Sequence, residues 1–76
     1  MKAIQSRMAR AALGWTTQNL ADEAGVGVNT VVRFESGEDA RMSSVDKIRQ
    51  ALEKAGVIFI AENGDGPGVR LKGKNA

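Results

Sequence analysis

The stretch LADEAGVGVNTVVRF, residues 20–34, decides the fold. Leu20 and Ala24 share one helical face at i, i+4, and Ala21 is small enough to let another helix pass close. Gly25 takes positive φ at little cost, which suits a tight bend. Val26 then plugs inward. Gly27 is the N-cap of a further helix, weaker in that role than Ser or Thr. On that helix Val31 and Phe34 stand at i, i+3 and face the core, which leaves Val28, Asn29, Thr30, Val32 and Arg33 toward solvent. Two short helices joined this way form a helix-turn-helix, and the second can enter a DNA major groove.

Working outward, AIQSRMARAAL at 3–13 reads as a first helix, with Ile4, Met8 and Ala11/Ala12 as its apolar positions and Gly14 as its stop. Trp15 belongs to the core. Thr16 caps the helix TQNLADEA at 17–24 through its hydroxyl. Gly37 ends the third helix, and EDARM at 38–42 is a polar loop. SSVDKIRQALEKAG at 43–56 is a fourth helix: Ser43 and Asp46 resemble a capping box, Val45, Ile48 and Leu52 form one stripe, and Gly56 stops it. The period then changes. VIFIAE at 57–62 is β-branched and aromatic, NGDGPG at 63–68 is a dense turn, and VRLK at 69–72 alternates apolar and basic. These segments make a hairpin, and GKNA at 73–76 is a flexible tail. The expected fold is mainly α: four helices in residues 1–56, then a hairpin at 57–72 within the same domain.

With 76 residues the chain has length for one small domain. It contains neither cysteine nor histidine. That removes disulfides, thiolate metal sites and the commonest general base. The Asp22/Glu23 and Glu38/Asp39 pairs lack a supporting third ligand and read as solvated surface. NGDGPG lacks the Lys-Ser/Thr and the helix of a phosphate loop. No enzyme, metal or cofactor is expected. Eleven basic residues against nine acidic give a net charge of +2, a mild hint of a polyanionic partner. No apolar run spans a bilayer, and the N-terminus lacks the apolar core of a secretory signal, so a cytoplasmic protein is expected.

RAALGWTTQNLADEAGVGVNTVVRFESG, continued by SSVDKIRQALEKAG, resembles the lambda-repressor-like, Xre-type bacterial helix-turn-helix regulators. The resemblance covers roughly residues 4–56, and AGVIFIAENGDGPGVRLK resembles the tail of a subgroup of small members. It implies a bacterial or phage protein whose third helix reads bases through Val28, Asn29, Thr30 and Arg33. In that reading Asn29 pairs with adenine, Arg33 meets guanine or a phosphate, and Val28 and Val32 touch thymine methyls. It implies phosphate anchoring by Thr16, Thr17 and Gln18 at the start of the second helix, and by Arg41, Ser43 and Ser44 after the third. It also implies an ion pair between Arg10 and Glu35. The sequence departs from the family in having Thr17 where a Gln is typical, Gly27 in place of a Ser or Thr cap, and a hairpin in place of a fifth helix.

One hairpin face, either Ile58 and Ile60 or Val57 and Phe59, packs on the helices; the other stays wet on a lone chain, beside an unpaired edge. A homodimer formed through residues 57–72 is therefore expected. The expected function is a sequence-specific regulator of transcription: a homodimeric repressor that reads a palindromic double-stranded operator with helix 28–36. The alternative is a protein-interaction module on the same fold, an antitoxin or antiactivator. Nothing in the sequence implies a small-molecule effector.

Overall fold

Four helices followed by a hairpin form in the expected order. They are α1 (Ala3–Leu13), α2 (Thr17–Ala24), α3 (Val28–Glu35), α4 (Met42–Lys54), β1 (Val57–Ile60) and β2 (Gly68–Leu71). The computed structural model describes residues 1–61 and 63–73. Glu62, expected at the end of the first strand, and residues 74–76 of the expected tail lie outside that set.

Two glycines do the turning. Gly14 (φ 71°) closes α1 and Gly25 (φ 72°) closes α2, both in the left-handed region where a side chain is strained. Gly25 and Val26 both donate their N–H to the Ala21 carbonyl, at 2.9 and 3.1 Å, so the chain leaves α2 along a fixed path. Gly27 N-caps α3 as expected, with no side-chain bond.

Leu20, Ile48, Leu52, Val31 and Ala9 are fully buried, and Ala21 and Val57 nearly so. Each of the larger aliphatic side chains contributes about 1.5–3 kcal/mol by leaving water. Trp15, Val26, Phe34, Phe59 and Val69 pack around this cluster and are partly buried. The core therefore lies where α2, α3 and α4 meet, closed on one side by α1 and the hairpin.

Two sequence expectations about helices are corrected. The buried face of α1 is Gln5, Ser6 and Ala9, while Ile4 is 40% exposed and Ala11 and Ala12 are exposed. Two of the three inward positions are polar because partners elsewhere in the chain satisfy them. The Ser43–Asp46 capping box does not form either. Arg41 takes the N-cap, its carbonyl accepting the Ser44 and Val45 N–H groups, and α4 begins one residue earlier than expected. Asp46 instead accepts from Arg49 at 3.3 Å.

The hairpin is antiparallel, with Val57 opposite Leu71, Ile58 opposite Arg70, Phe59 opposite Val69 and Ile60 opposite Gly68. Val57, Phe59 and Val69 pack toward the helices, while Ile58 and Arg70 are exposed. Gln5 ties the far end down: its amide nitrogen donates to the Ile60 carbonyl at 3.1 Å and the Gly68 carbonyl at 3.0 Å. Its oxygen accepts the Lys2 N–H at 2.8 Å. One side chain thereby joins α1 to both strands.

Candidate nucleic-acid interface

α3 is a slim helix held from one side. Val31 is fully buried and Glu35 is 6% exposed, which fixes the inner face. The outer face follows at helical spacing: Asn29, Val32, Arg33 and Ser36 are exposed. Val32 is 45% exposed, so its methyls are open to contact. Two of the five residues expected on the solvent side are only half-buried there. Val28 packs against the core cluster, since the first turn of α3 leans on the body, and Thr30 sits at the rim of a cleft.

The orientation of α3 is set by a polar clamp at its far end. The Ser6 hydroxyl donates to Glu35 Oε2 at 2.6 Å. Arg10 Nη2 donates to Glu35 Oε1 at 2.7 Å and its Nε lies 3.0 and 3.1 Å from the two carboxylate oxygens. Arg10 Nη1 donates to the Trp15 carbonyl at 3.2 Å. The Arg10–Glu35 pair is thus present, and the sequence reading missed Ser6, whose small polar side chain gave no periodic signal. Hydrogen bonding to Glu35 raises the pKa of the Arg10 guanidinium; burial opposes the rise and the carboxylate's charge adds to it. The stability linked to this upward shift is present below the ordinary arginine range and is lost only as pH climbs through the raised value.

The start of α2 is closed by reciprocal caps. Thr16 Oγ1 accepts the Asn19 N–H at 3.0 Å, and Asn19 Oδ1 accepts the Thr16 N–H at 2.9 Å. Because the Thr16 oxygen is accepting, its own hydroxyl proton is available to an outside acceptor. Thr17 is half-buried, and Gln18 is exposed with its amide nitrogen donating to Asp22 at 2.8 Å.

Between α3 and the loop before α4 lies an open cleft of about 400 Å³, lined by Thr30, Arg33, Asp39, Ala40, Arg41 and Ser44. It brings together four of the residues that the sequence nominated: Thr30, Arg33, Arg41 and Ser44. Thr16, Thr17, Gln18, Val28, Asn29 and Ser43 do not line it; Ser43 is exposed beside it on α4. Arg41 has no ion-pair partner among the described residues. Arg33 has one: its Nε lies 3.4 Å from Glu38 Oε1, with both side chains exposed. Glu38 and Asp39, read from sequence as plain solvated surface, therefore belong to the surroundings of the two arginines. The available signal was the spacing of Glu38 from Arg33 across the stop at Gly37.

An exposed helix, a capped helix start and an arginine-bearing cleft are the parts of a duplex-reading protein. A family model described as "Helix-turn-helix" matches residues 7–57, two thirds of the chain. The chain belongs to the Xre/lambda-repressor-like helix-turn-helix family. It is, at that level, a DNA-binding regulator of transcription for double-stranded DNA, from a family of regulatory domains and not of enzymes. Comparison with curated proteins gave no match. Among the described residues no helix is long and apolar enough to cross a membrane.

Proposed function

We propose that this protein is a homodimeric repressor that reads a palindromic operator by placing α3 of each subunit in the major groove. Residues 1–56 form the reading body and the hairpin at 57–72 is the dimerising part of the same domain. The observation that carries the reading is the outer face of α3: Asn29, Val32 and Arg33 stand exposed on one helical stripe while Val31 and Glu35 are locked beneath them. Asn29 pairs with adenine, Arg33 with guanine, and Val32, which is more open than Val28, contacts a thymine methyl. Thr16, Thr17 and Gln18 hold one phosphate strand, and Arg41, Ser43 and Ser44 the other, with Thr30 at the cleft between α3 and that wall. Occupying the operator is enough for repression.

A second reading, a protein-interaction module with little DNA affinity, draws on one observation. Glu38 and Asp39 offset the charge of Arg33 and Arg41 on the same face. Selection of bound duplexes from a random pool separates the two. Enrichment of a two-fold-related sequence is the expected result; a pool that stays random after repeated rounds eliminates the operator reading.

A further inference from the structure

The end of α3 brings an acidic residue beside the helix's one basic residue, Arg33. The Glu38 N–H donates to the Arg33 carbonyl at 3.0 Å and the Gly37 N–H to the Phe34 carbonyl at 3.1 Å. Gly37 has φ 89°, the left-handed conformation that this pattern needs. The result is a Schellman motif, in which the two residues joined by the longer bond commonly make an apolar contact. In this chain those residues are Arg33 and Glu38, so the contact is ionic, Nε to Oε1 at 3.4 Å. The backbone bond places residue 38 beside residue 33, within reach of this exposed side-chain pairing.

We propose that Glu38 is a specificity-determining positioning residue, which biases Arg33 away from phosphates and toward a guanine edge. It rests on the reading of α3 as the base-reading helix. Arg33 has two uses on a duplex: phosphate oxygens, offered at every step, and guanine O6 and N7, offered only at the right base. A carboxylate on Nε leaves Nη1 and Nη2 free to form the bidentate fork that guanine accepts. The same charge repels phosphate oxygens that approach the guanidinium. Glu38 therefore weakens sequence-blind binding more than it weakens operator binding. Both partners are more than half exposed, 64% for Arg33 and 58% for Glu38. The effect is accordingly that of a surface pair, about two- to fivefold in affinity.

The test uses the full chain and a duplex enriched by it from a random pool, with a scrambled duplex of the same composition. Dissociation constants for both are measured over a range of salt for wild type, Glu38→Gln, Arg33→Ala, the double variant and Asp39→Asn. Glu38→Gln is expected to tighten the scrambled complex about two- to fivefold, steepen its salt dependence by about one released counterion, and so lower the ratio between the two duplexes. In the Arg33→Ala background the ratio stops responding to residue 38. Asp39→Asn, a control for general charge, tightens both complexes alike. A ratio that does not fall, or that falls equally without Arg33, overturns the role of Glu38 while leaving DNA recognition intact. A wild-type chain that enriches no duplex overturns both.

Discussion

Arg33 and Arg10 carry the same charge on neighbouring helices and do opposite work. Arg10 is mostly sheltered, with its side chain 20% exposed against a Glu35 that is 5% exposed, and four of its hydrogen bonds are to Glu35 or to the Trp15 carbonyl. Removing it strands a buried carboxylate with Ser6 alone. Arg10→Ala is expected to lower stability by about 2–4 kcal/mol, somewhat under the cost for a fully buried pair. A domain of this size holds about 4–11 kcal/mol in total, so the loss shows as a large drop in the chemical-denaturation midpoint. DNA affinity falls with it because α3 loses its anchor. Arg33→Ala shows the reverse pattern. Its side chain is 64% exposed, so the unfolding midpoint stays within error while affinity for the enriched duplex falls by about 1–3 kcal/mol. Equal affinity of wild type and Arg33→Ala for that duplex removes Arg33 from base recognition.

At the level of elements, the turn between α2 and α3 contains two glycines with different reasons to be glycine. Gly25 has φ 72° and nothing within 4 Å of where a Cβ would stand, so only backbone strain opposes a side chain there. Gly25→Ala is expected to cost about 1–2 kcal/mol, a fall of several degrees in Tm. Gly27 has φ −71° and ψ 149°, ordinary extended backbone at an N-cap position. Gly27→Ser supplies the missing cap and is expected to gain a few tenths of a kcal/mol. Opposite signs in thermal unfolding, from two glycines two residues apart, check the turn geometry directly. The helix-turn-helix was legible from sequence for the same local reasons: Leu20, Ala21, Gly25, Val26 and Val31 define it within a dozen residues. The inner face of α1 was not. Gln5 answers carbonyls of Ile60 and Gly68, and Ser6 answers Glu35, so their burial depends on contacts 29 to 63 residues away. The Ser43–Asp46 box failed for a related reason, since a cap two residues earlier, at Arg41, starts the helix before Ser43 and takes the Ser44 and Val45 N–H groups on its carbonyl. In the candidate site, the exposed stripe of α3 followed from helical periodicity, whereas the cleft joining Thr30 and Arg33 to Arg41 and Ser44 needed the loop's path.

For the whole molecule, the proposed dimer has to bring two copies to one duplex. The Cα body measures 31 × 29 × 18 Å, and successive major grooves on one face of DNA repeat about every 34 Å. Two bodies side by side therefore bring their α3 helices to roughly one helical turn apart, provided the contact between them is thin. The hairpin offers such a contact: Ile58 is 38% exposed on its outward face, across from the exposed Arg70, beside a strand edge with no neighbour among the described residues. Ile58→Lys places a charge there without touching Val57, Phe59 or Val69, which pack inward. Wild type is expected to sediment as a dimer and the variant, still folded, as a monomer that binds the enriched duplex more weakly. The variant should also lose sensitivity to half-site spacing: inserting about five base pairs turns one half-site to the opposite side of the helix, which is severe for a dimer and neutral for a monomer. If wild type is a strict monomer at high concentration, with and without DNA, the hairpin is not a dimer contact and each α3 reads its half-site alone.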